Sequence, residues 1–240
     1  AARAAVVEVH DAILNRHPEY FPNEDRWRWY DGFVKRLVAR ADRLLVHSES
    51  VATEVEQDLA GDRSKCDVAP LAVDPCLHEN VSDSFVERLL GEYKISGSYF
   101  VSLGKDYPHK DHATMFRALA RIDADVQVVI AGDKIWQEGR ETDALLKKLD
   151  LVSRVRFING LSDEEVKALL QGSKGLVYPS LEEGFGLPPI EAMLRGVPVA
   201  AAKCMSIPEV CGDAAWLFDA GDDETLADLL VKMNAGGAEV

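Results

Sequence analysis

Two glutamates lie on either side of a short turn in the sequence EEGFGLPPIEAM, residues 182–193. Glu183 precedes the turn and Glu191 follows it. Ionised carboxylates accept hydrogen bonds, and the hydroxyl groups of a sugar are suitable donors to them. The pair therefore predicts a site for a hydroxyl-rich ligand. The alternative is that Glu191 only stabilises a helix dipole and that Glu183 is a solvated loop acid.

The turn between the two glutamates is suited to binding an anion. Gly184 and Gly186 let the backbone approach a ligand closely and expose the amides of residues 184–187. Pro188 and Pro189 fit the first turn of a helix, where their missing N–H groups would have no intrahelical partner. The helix then directs the positive end of its dipole at the anion. Phosphate donors flanked by hydroxyl acceptors indicate a site for a sugar nucleotide.

A second candidate anion site lies in the loop SLGKDYPHKDH. Gly104 ends a predicted strand, and Lys105 and Lys110 precede a predicted helix. Two ammonium groups beside a helix N-terminus can hold a diphosphate. The alternative is that both lysines are solvated loop residues. The P-loop pattern G-x-x-x-x-G-K-[ST] does not occur in the sequence.

The histidines and cysteines do not form a metal-binding pattern. His109 and His112 make an H-x-x-H pair, but no nearby carboxylate–histidine set completes it. The cysteines show no C-x-x-C pair, and isolated thiols suggest a reducing, cytoplasmic compartment. We therefore expect no metal ion and no other cofactor. The four cysteines are Cys66, Cys76, Cys204 and Cys211.

Composition limits the class of protein. A chain of 240 residues that is 47% hydrophobic can bury a sizeable core and is long enough for two globular units. The net charge of −14 and the pI of about 4.9 argue against a general nucleic-acid-binding protein. No stretch is long and apolar enough to cross a bilayer, and the first residues are not typical of a signal peptide.

Short β-branched runs alternate with helical patterns along the chain, which predicts βαβ units around parallel sheets. The α/β pattern before residue 70 is only part of a sheet, whereas the pattern after residue 98 predicts a complete, doubly wound Rossmann-like domain. Ligands should bind beyond the carboxyl ends of its strands. SIPEVCG is predicted to be a turn. The predicted domains are a partial acceptor-side domain over 1–72, a linker and bridging helix over 73–97, and a nucleotide-sugar-binding domain over 98–240.

Seven ordered segments resemble one known family. EGFGLPPIE is similar to the E-x7-E motif of the retaining glycosyltransferases of family four, which have the two-Rossmann-domain GT-B architecture. VSLGKDYPHKD resembles the lysine-bearing first loop of that family, and VVIAGDK, RVRFINGLSDEEVKALL and SIPEVCGDAAWLFD follow in the family order. The likeness covers nearly all of residues 99–235. VVEVHD and ADRLLVHSES resemble the end of the acceptor-side domain, so the chain is expected to be a fragment.

The resemblance implies roles for three catalytic residues. Glu183 would contact hydroxyl groups of the transferred sugar, and Lys110 would hold the diphosphate. His10 would line the donor-sugar site, although a single histidine at a strand end is more often structural. Lys105 and Lys110, with the helix end, would stabilise the charge on the leaving diphosphate.

The resemblance also implies a set of donor-binding residues. Glu191 would accept hydrogen bonds from the ribose, and the base would lie against residues 157–159. Lys105 stands where many family members carry arginine, so a compact ammonium replaces a bidentate donor. The donor-binding residues implied in this way are Gly104, Lys105, Ile158, Asn159, Phe185, Gly186, Leu187 and Glu191.

The implied function is transfer of a hexosyl group from a UDP- or GDP-linked sugar to a glycan or lipid-linked acceptor, as in polysaccharide biosynthesis. The resemblance implies retention of configuration without a metal ion. Two alternatives stay open: a sugar-nucleotide epimerase of similar architecture, and a nucleotide-sugar-binding module without turnover.

The segment RWRWYDGFVKRLVARADR, residues 26–43, is basic and aromatic within an acidic protein. One interpretation is peripheral contact with the anionic inner face of a membrane. The favoured interpretation is a core-facing helix with a solvated basic side. The residues predicted along one face are Trp27, Tyr30, Phe33, Val34, Leu37 and Val38.

Overall fold

The structure, a computed structural model, describes residues 4–74, 77, 79–123, 125–132 and 139–236. Three parts of the sequence interpreted above lie outside the described residues: Cys76, residues 75 and 78 of the predicted linker, and Asp133 and Lys134 of the VVIAGDK segment.

The chain divides into two compact units. The first unit comprises Ala1–Ala72, Glu182–Gly186 and Met205–Val210. The second comprises Val73–Leu181, Leu187–Cys204 and Cys211–Val240. Two short segments of the first unit therefore lie in sequence between elements of the second. The domain limits predicted from the sequence stay a prediction.

The first unit is built on a parallel sheet with the strand order β1-β2-β3. Val9 of β1 is in register with Val46 of β2, and both side chains are buried in the aliphatic core. The strands are β1 Val6–Val9, β2 Arg43–Val46 and β3 Cys66–Val68, the helices are α1 Ile13–Arg16, α2 Glu24–Arg40 and α3 Glu49–Gln57, and 3-10 turns lie at Pro18–Tyr20 and Arg63–Lys65.

Helix α2 buries less of its aromatic stripe than predicted. Val38 is buried in the core, but Phe33 and Leu37 are 41% and 40% exposed. Phe33 stacks on Trp29, which is itself exposed, with ring centroids 5.5 Å apart. Phe33 and Leu37 are predicted to face the core, and this prediction is wrong. The part of α2 that is buried is narrower than the row of apolar residues in its sequence.

The second unit is a doubly wound parallel sheet. Its strand order is β6-β5-β4-β7-β8-β9, so the winding direction changes between β4 and β7. This is the order of the Rossmann fold, which confirms the predicted fold class. The strands are β4 Ser98–Leu103, β5 Val126–Ala131, β6 Val155–Ile158, β7 Leu176–Tyr178, β8 Val199–Lys203 and β9 Trp216–Asp219.

The helices that follow these strands agree with the predicted alternation, with one correction. SIPEVCG is predicted to be a turn, but residues 207–211 form the short helix α9. Pro208 lies in its first turn, where a proline needs no hydrogen-bond acceptor. The helices of the second unit are α4 Asp83–Glu92, α5 His112–Arg121, α6 Gly139–Lys148, α7 Asp163–Gly172, α8 Leu187–Leu194 and α10 Asp223–Asn234, and a 3-10 turn lies at Pro108–Lys110. Helix α9, Ile207–Cys211, follows β8 in sequence, but all of it except Cys211 belongs to the first unit.

The core of the second unit lies between the sheet and its helices. Phe100, Phe116 and Phe218 are almost completely buried there among aliphatic side chains. None of the helices in the described ranges combines the length and the apolar character that crossing a membrane requires.

Candidate functional site

The carboxyl ends of β4, β5 and β6 surround a cavity of about 300 Å³ in the second unit. This is the end of a doubly wound sheet at which ligands bind, and the volume is at the lower end of the range of small-molecule sites. Lys105 is exposed at this cavity, whereas Ile158 is buried. The predicted donor residue Asn159 is exposed and does not line it. The lining residues are Gly104, Lys105, Ala131, Gly132, Ile158, Gly160, Leu161 and Val166.

Glycines allow the ends of β4 and β5 to pass very close to each other. A Cβ atom added at Gly132 would lie 2.0 Å from the carbonyl oxygen of Gly104. The Gly132 amide donates to the Ile158 carbonyl at 2.8 Å, and the Gly104 amide donates to the Ala131 carbonyl at 3.0 Å. Gly104 has a φ of +135°, which side chains rarely tolerate. Both positions therefore require glycine.

Lys110 lies beside Gly104, just before α5. A Cβ atom added at Gly104 would lie 4.0 Å from Lys110 Nζ. The same ammonium group is 3.3 Å from the Tyr178 hydroxyl and 5.3 Å from the centre of its ring. These contacts, one of them a cation–π interaction, orient the half-buried side chain. The structure thus brings Gly104, Lys105 and Lys110 together, as the sequence predicts for an anion site.

The two histidines of the H-x-x-H pair have different roles near this loop. His112 is buried, and its Nδ1 lies 2.8 Å from Asp106 Oδ1. The ring of His109 stacks on Tyr107, and the backbone carbonyl of His109 accepts a hydrogen bond from the Leu181 amide at 2.7 Å. Both histidines therefore stabilise the loops that follow β4 and β7.

Glu191 is the fifth of the eight residues of α8 and is half-buried. Burial raises the pKa of its carboxyl group, and the negative charge of Asp163 raises it further. Within the ranges that the structure describes, no protein group forms a hydrogen bond or ion pair with this carboxylate. Glu191 is therefore a partly desolvated acceptor that a ligand donor can satisfy.

The segment 182–186 of the first unit is held through its carbonyl groups. The Ser48 hydroxyl donates to the Gly184 carbonyl at 2.9 Å. The Ser206 hydroxyl lies 2.8 Å from the Glu183 carbonyl and 3.0 Å from the Phe185 carbonyl. Among the described residues, nothing accepts a hydrogen bond from the amides of Phe185 and Gly186. Neither serine is predicted from the sequence, since Ser48 is recognisable there only as the N-cap of α3.

Glu183 and His10 belong to the same unit, but their side chains have different surroundings. Glu183 is 7% exposed. Its neighbour Gly184 packs against β1, because an added Cβ would lie 2.1 Å from the His10 carbonyl oxygen. The His10 side chain is 67% exposed and points towards Glu8 and His47.

An arginine connects α1 to the glutamate before Glu183. Arg16 Nη1 lies 2.7 Å from Asp58 and 3.3 Å from Glu54, and Arg16 Nη2 lies 3.3 Å from Glu182. Burial raises the pKa of Glu54 despite this partner. His17 Nε2 lies 3.0 Å from the same oxygen of Glu182. The network fixes one end of the segment 182–186, and no local sequence pattern predicts it.

The predicted site residues are distributed over both units, and their assignment to one donor site stays a prediction. His10, Glu183, Phe185 and Gly186 belong to the first unit. Gly104, Lys105, Lys110, Ile158, Asn159, Leu187 and Glu191 belong to the second.

Comparison with known proteins identifies relatives along nearly the whole chain. The sequence profile of the family described as glycosyl transferases group 1 matches residues 94–236. The MMP alpha-(1->4)-mannosyltransferase of Mycolicibacterium hassiacum is 32% identical, over 95% of this chain and 56% of its own length. The O-antigen chain mannosyltransferase B of Escherichia coli is 27% identical, over 93% of this chain and 59% of its own length.

A solved structure shows the same architecture. Anabaena HepE in complex with UDP-glucose matches with a TM-score of 0.81 and 25% identity, over 98% of this chain and 65% of that one. The present chain thus spans little more than half the length of the curated relatives that it matches.

Proposed function

The chain belongs to the glycosyl transferases group 1 family, and from that membership we propose that it carries the nucleotide-sugar-binding part of a retaining hexosyltransferase. The observation that carries the proposal is the partly desolvated Glu191 carboxylate, which has no protein donor within the described ranges. In the same unit, Lys105 and Lys110 lie at the carboxyl end of the sheet. This unit thus offers both an acceptor for ribose hydroxyls and cations for a diphosphate.

The proposed reaction transfers the sugar from a nucleoside diphosphate to an acceptor hydroxyl. The bond between the anomeric carbon and the diphosphate oxygen breaks, a bond to the acceptor oxygen forms with retention, and the proton of the acceptor hydroxyl passes to the departing diphosphate. The charge that develops on the diphosphate is stabilised by Lys110 and Lys105, without a metal ion. The acceptor is proposed to be a glycan or a lipid-linked glycan, consistent with a relative named for the O-antigen chain.

Substitution of Lys110 tests the diphosphate site. We expect Lys110→Ala to weaken UDP or GDP binding about 10- to 100-fold, because a charge-assisted hydrogen bond contributes about 1.5–3 kcal/mol. Isothermal titration calorimetry with UDP, GDP and their hexose conjugates measures the loss. Binding of UMP or GMP should change less, since these ligands lack the second phosphate.

Lys203→Ala is the matched control for this experiment. Lys203 is an exposed lysine of the same unit and pairs with Asp219 at 3.3 Å, so its removal changes the net charge equally. If Lys203→Ala weakens binding as much as Lys110→Ala, the effect is general electrostatics and the assigned phosphate site is wrong. If the parent chain binds none of these nucleotides, the proposed function is wrong.

A second candidate function is nucleotide-sugar binding without turnover. Release of the nucleoside diphosphate in the presence of acceptor distinguishes the two candidates, because a binding module releases none. Interconversion of the donor sugar without an acceptor would instead indicate the epimerase.

Peripheral membrane contact through residues 26–43 is a further part of the proposal and would place the protein at the inner face of the membrane. The exposed Trp29–Phe33 stack lies on a helix that also exposes Arg26, Arg36 and Arg40. Aromatic and basic side chains on one helix favour binding to anionic lipid surfaces. We expect Trp29→Ala to reduce co-sedimentation with anionic vesicles about tenfold, since burial of a large apolar side chain contributes about 1.5–3 kcal/mol.

The exposed apolar residue Val231 on α10 provides the control for the membrane experiment. Val231→Ala should co-sediment like the parent. Absence of co-sedimentation of the parent chain would contradict the proposed membrane contact without affecting the nucleotide site.

A further inference from the structure

Two histidines and a glutamate of the first unit meet at the carboxyl ends of β1 and β2. Glu8 and His10 lie on the same side of β1, because side chains alternate along a strand. The register that pairs Val9 with Val46 places His47 beside His10. Glu8 Oε1 lies 2.9 Å from His47 Nε2 and 3.7 Å from His10 Nε2. One side-chain N or O atom from each of the three residues lies within 4.8 Å of the others.

His47 directs one ring nitrogen at a backbone carbonyl and the other at Glu8. His47 is 3% exposed, and its Nδ1 lies 3.0 Å from the Ala69 carbonyl oxygen. A carbonyl oxygen only accepts, so Nδ1 carries a ring proton and Nε2 faces the Glu8 carboxylate. The 2.9 Å between Nε2 and Glu8 Oε1 is therefore bridged either by a second ring proton or by a metal ion. A single proton can link His47 to Glu8, but it leaves the nitrogen of His10 without a role in the cluster.

The spacing of the three groups is compatible with a single metal ion. In a tetrahedral zinc site with ligands at about 2.0–2.1 Å, neighbouring ligand atoms are about 3.3 Å apart. The distances from the Glu8 oxygen to the two nitrogens, 2.9 and 3.7 Å, lie on either side of this value. Two histidines and one glutamate form a known zinc-ligand set, and a backbone carbonyl is a usual outer partner of a metal-binding histidine.

Another histidine of the same unit shows the contrast. His17 approaches Glu19 with Nδ1 at 2.7 Å and Glu182 with Nε2 at 3.0 Å. These two nitrogens lie on different edges of the ring, so the two carboxylates cannot share one ion with it. At His47, by contrast, the Glu8 oxygen and the two histidine nitrogens lie close enough together to bind one ion.

We propose that Glu8, His10 and His47 bind a divalent first-row metal ion, with Zn²⁺ as the expected ligand. Glu8 and His10 are exposed, so the remaining coordination position is open to solvent. The ion is separate from the transfer chemistry proposed above, and its binding does not depend on that function. A bound ion would hold the His10 side chain at Glu8 and His47, so it would compete with any role of His10 in contacting a sugar.

The test is a metal titration of the untagged 240-residue chain after treatment with a chelator. We expect one Zn²⁺ ion to bind per chain in calorimetry, and Co²⁺ to give visible absorption without a thiolate charge-transfer band. Glu8→Gln and His10→Ala should each weaken Zn²⁺ binding at least about tenfold, because loss of even an outer partner costs about 10- to 100-fold. Both side chains are exposed, so these variants should fold.

Further measurements keep the test specific. His109→Gln removes a histidine of the second unit and should leave Zn²⁺ affinity unchanged. Mg²⁺ at the same concentration should not displace Zn²⁺, since it prefers oxygen ligands. If the parent binds Zn²⁺ no more tightly than His10→Ala and Glu8→Gln do, a proton occupies the position between His47 and Glu8, and the proposal is wrong.

Discussion

Replacement of Glu191 by alanine is expected to abolish nucleotide binding at ligand concentrations that saturate the parent chain. The carboxylate is partly desolvated and has no donor within the described residues, so in the proposed site its removal leaves two ribose hydroxyls unpaired. Hydrogen bonds to a charged group contribute about 1.5–3 kcal/mol each. Loss of two such bonds corresponds to a decrease in affinity of about 100-fold to 10,000-fold. Calorimetric titration with UDP and GDP measures it directly.

Glu191→Gln and a pH series show whether charge is the important property. Burial raises the pKa of Glu191 above the ordinary glutamate value of 4.5. The ligand-free folded chain thus holds this proton more tightly than the unfolded chain does. As pH falls from the raised pKa of the folded chain towards 4.5, protonation of Glu191 therefore increases the free energy of unfolding. Ribose binding needs the ionised form, so parent affinity should fall over the same range, beginning above pH 4.5. The Gln variant should bind weakly, with an affinity that depends less on pH.

Glu164→Ala is the control for both experiments on Glu191. Glu164 is an exposed acid on α7 of the same unit, whereas Glu191 is half-buried. Its removal changes the net charge equally and should leave nucleotide affinity within about twofold of the parent. Parent-like binding by Glu191→Ala would show that the nucleotide lies elsewhere.

The second large effect is expected at Gly132, where β5 ends beside β4. An alanine Cβ would lie 2.0 Å from the oxygen and 2.4 Å from the carbon of the Gly104 carbonyl. Because the colliding atoms are backbone, the strand end must move. Overpacking typically costs about 1–3 kcal/mol, and we expect Gly132→Ala to lower the free energy of unfolding by about 3 kcal/mol. Nucleotide binding should also weaken, since Gly104 and Lys105 line the cavity.

Chemical denaturation of Gly132→Ala beside Gly91→Ala tests this prediction. Gly91 lies in α4, where an added Cβ has no heavy atom within 4 Å. Alanine at position 91 should cause no steric clash. It should raise the free energy of unfolding by up to about 1 kcal/mol, because glycine is unfavourable inside a helix. Equal denaturation midpoints for the parent and Gly132→Ala would show that the strand ends can separate without cost.

Much of the second unit can be predicted from sequence because its signals are local. β4 and β5 are mainly apolar and almost fully buried, as expected of strands covered on both faces. Glycine at 104 and the prolines at the start of α8 mark a strand end and a helix start by their own backbone preferences. The pattern behind the proposed anion site is likewise local, since Lys105 and Lys110 occur in one loop.

Other features depend on contacts between distant parts of the chain and could not be predicted. The Ser48–Gly184 hydrogen bond joins residues 136 positions apart. The Glu8, His10 and His47 cluster depends on the register of β1 against β2, and a one-residue shift would separate it. On α2, the helical periodicity of the apolar residues predicts one apolar face, and Val38 on that face is buried. The exposure of Phe33 and Leu37 depends on tertiary packing that the sequence does not specify.

The three-part composition of the first unit limits how the chain can be divided by recombination. A chain begun at Val73 would retain segments 182–186 and 205–210 but lose Ser48, the donor to Gly184. It would also lose the backbone amide of Glu49, which donates to Glu209 at 3.0 Å. A chimera joined at residue 72 has the same problem. Segments 182–186 and 205–210 would come from one parent protein, whereas residues 1–72, which they contact, would come from the other. The first unit can therefore be exchanged between relatives only when segments 182–186 and 205–210 are transferred together with residues 1–72.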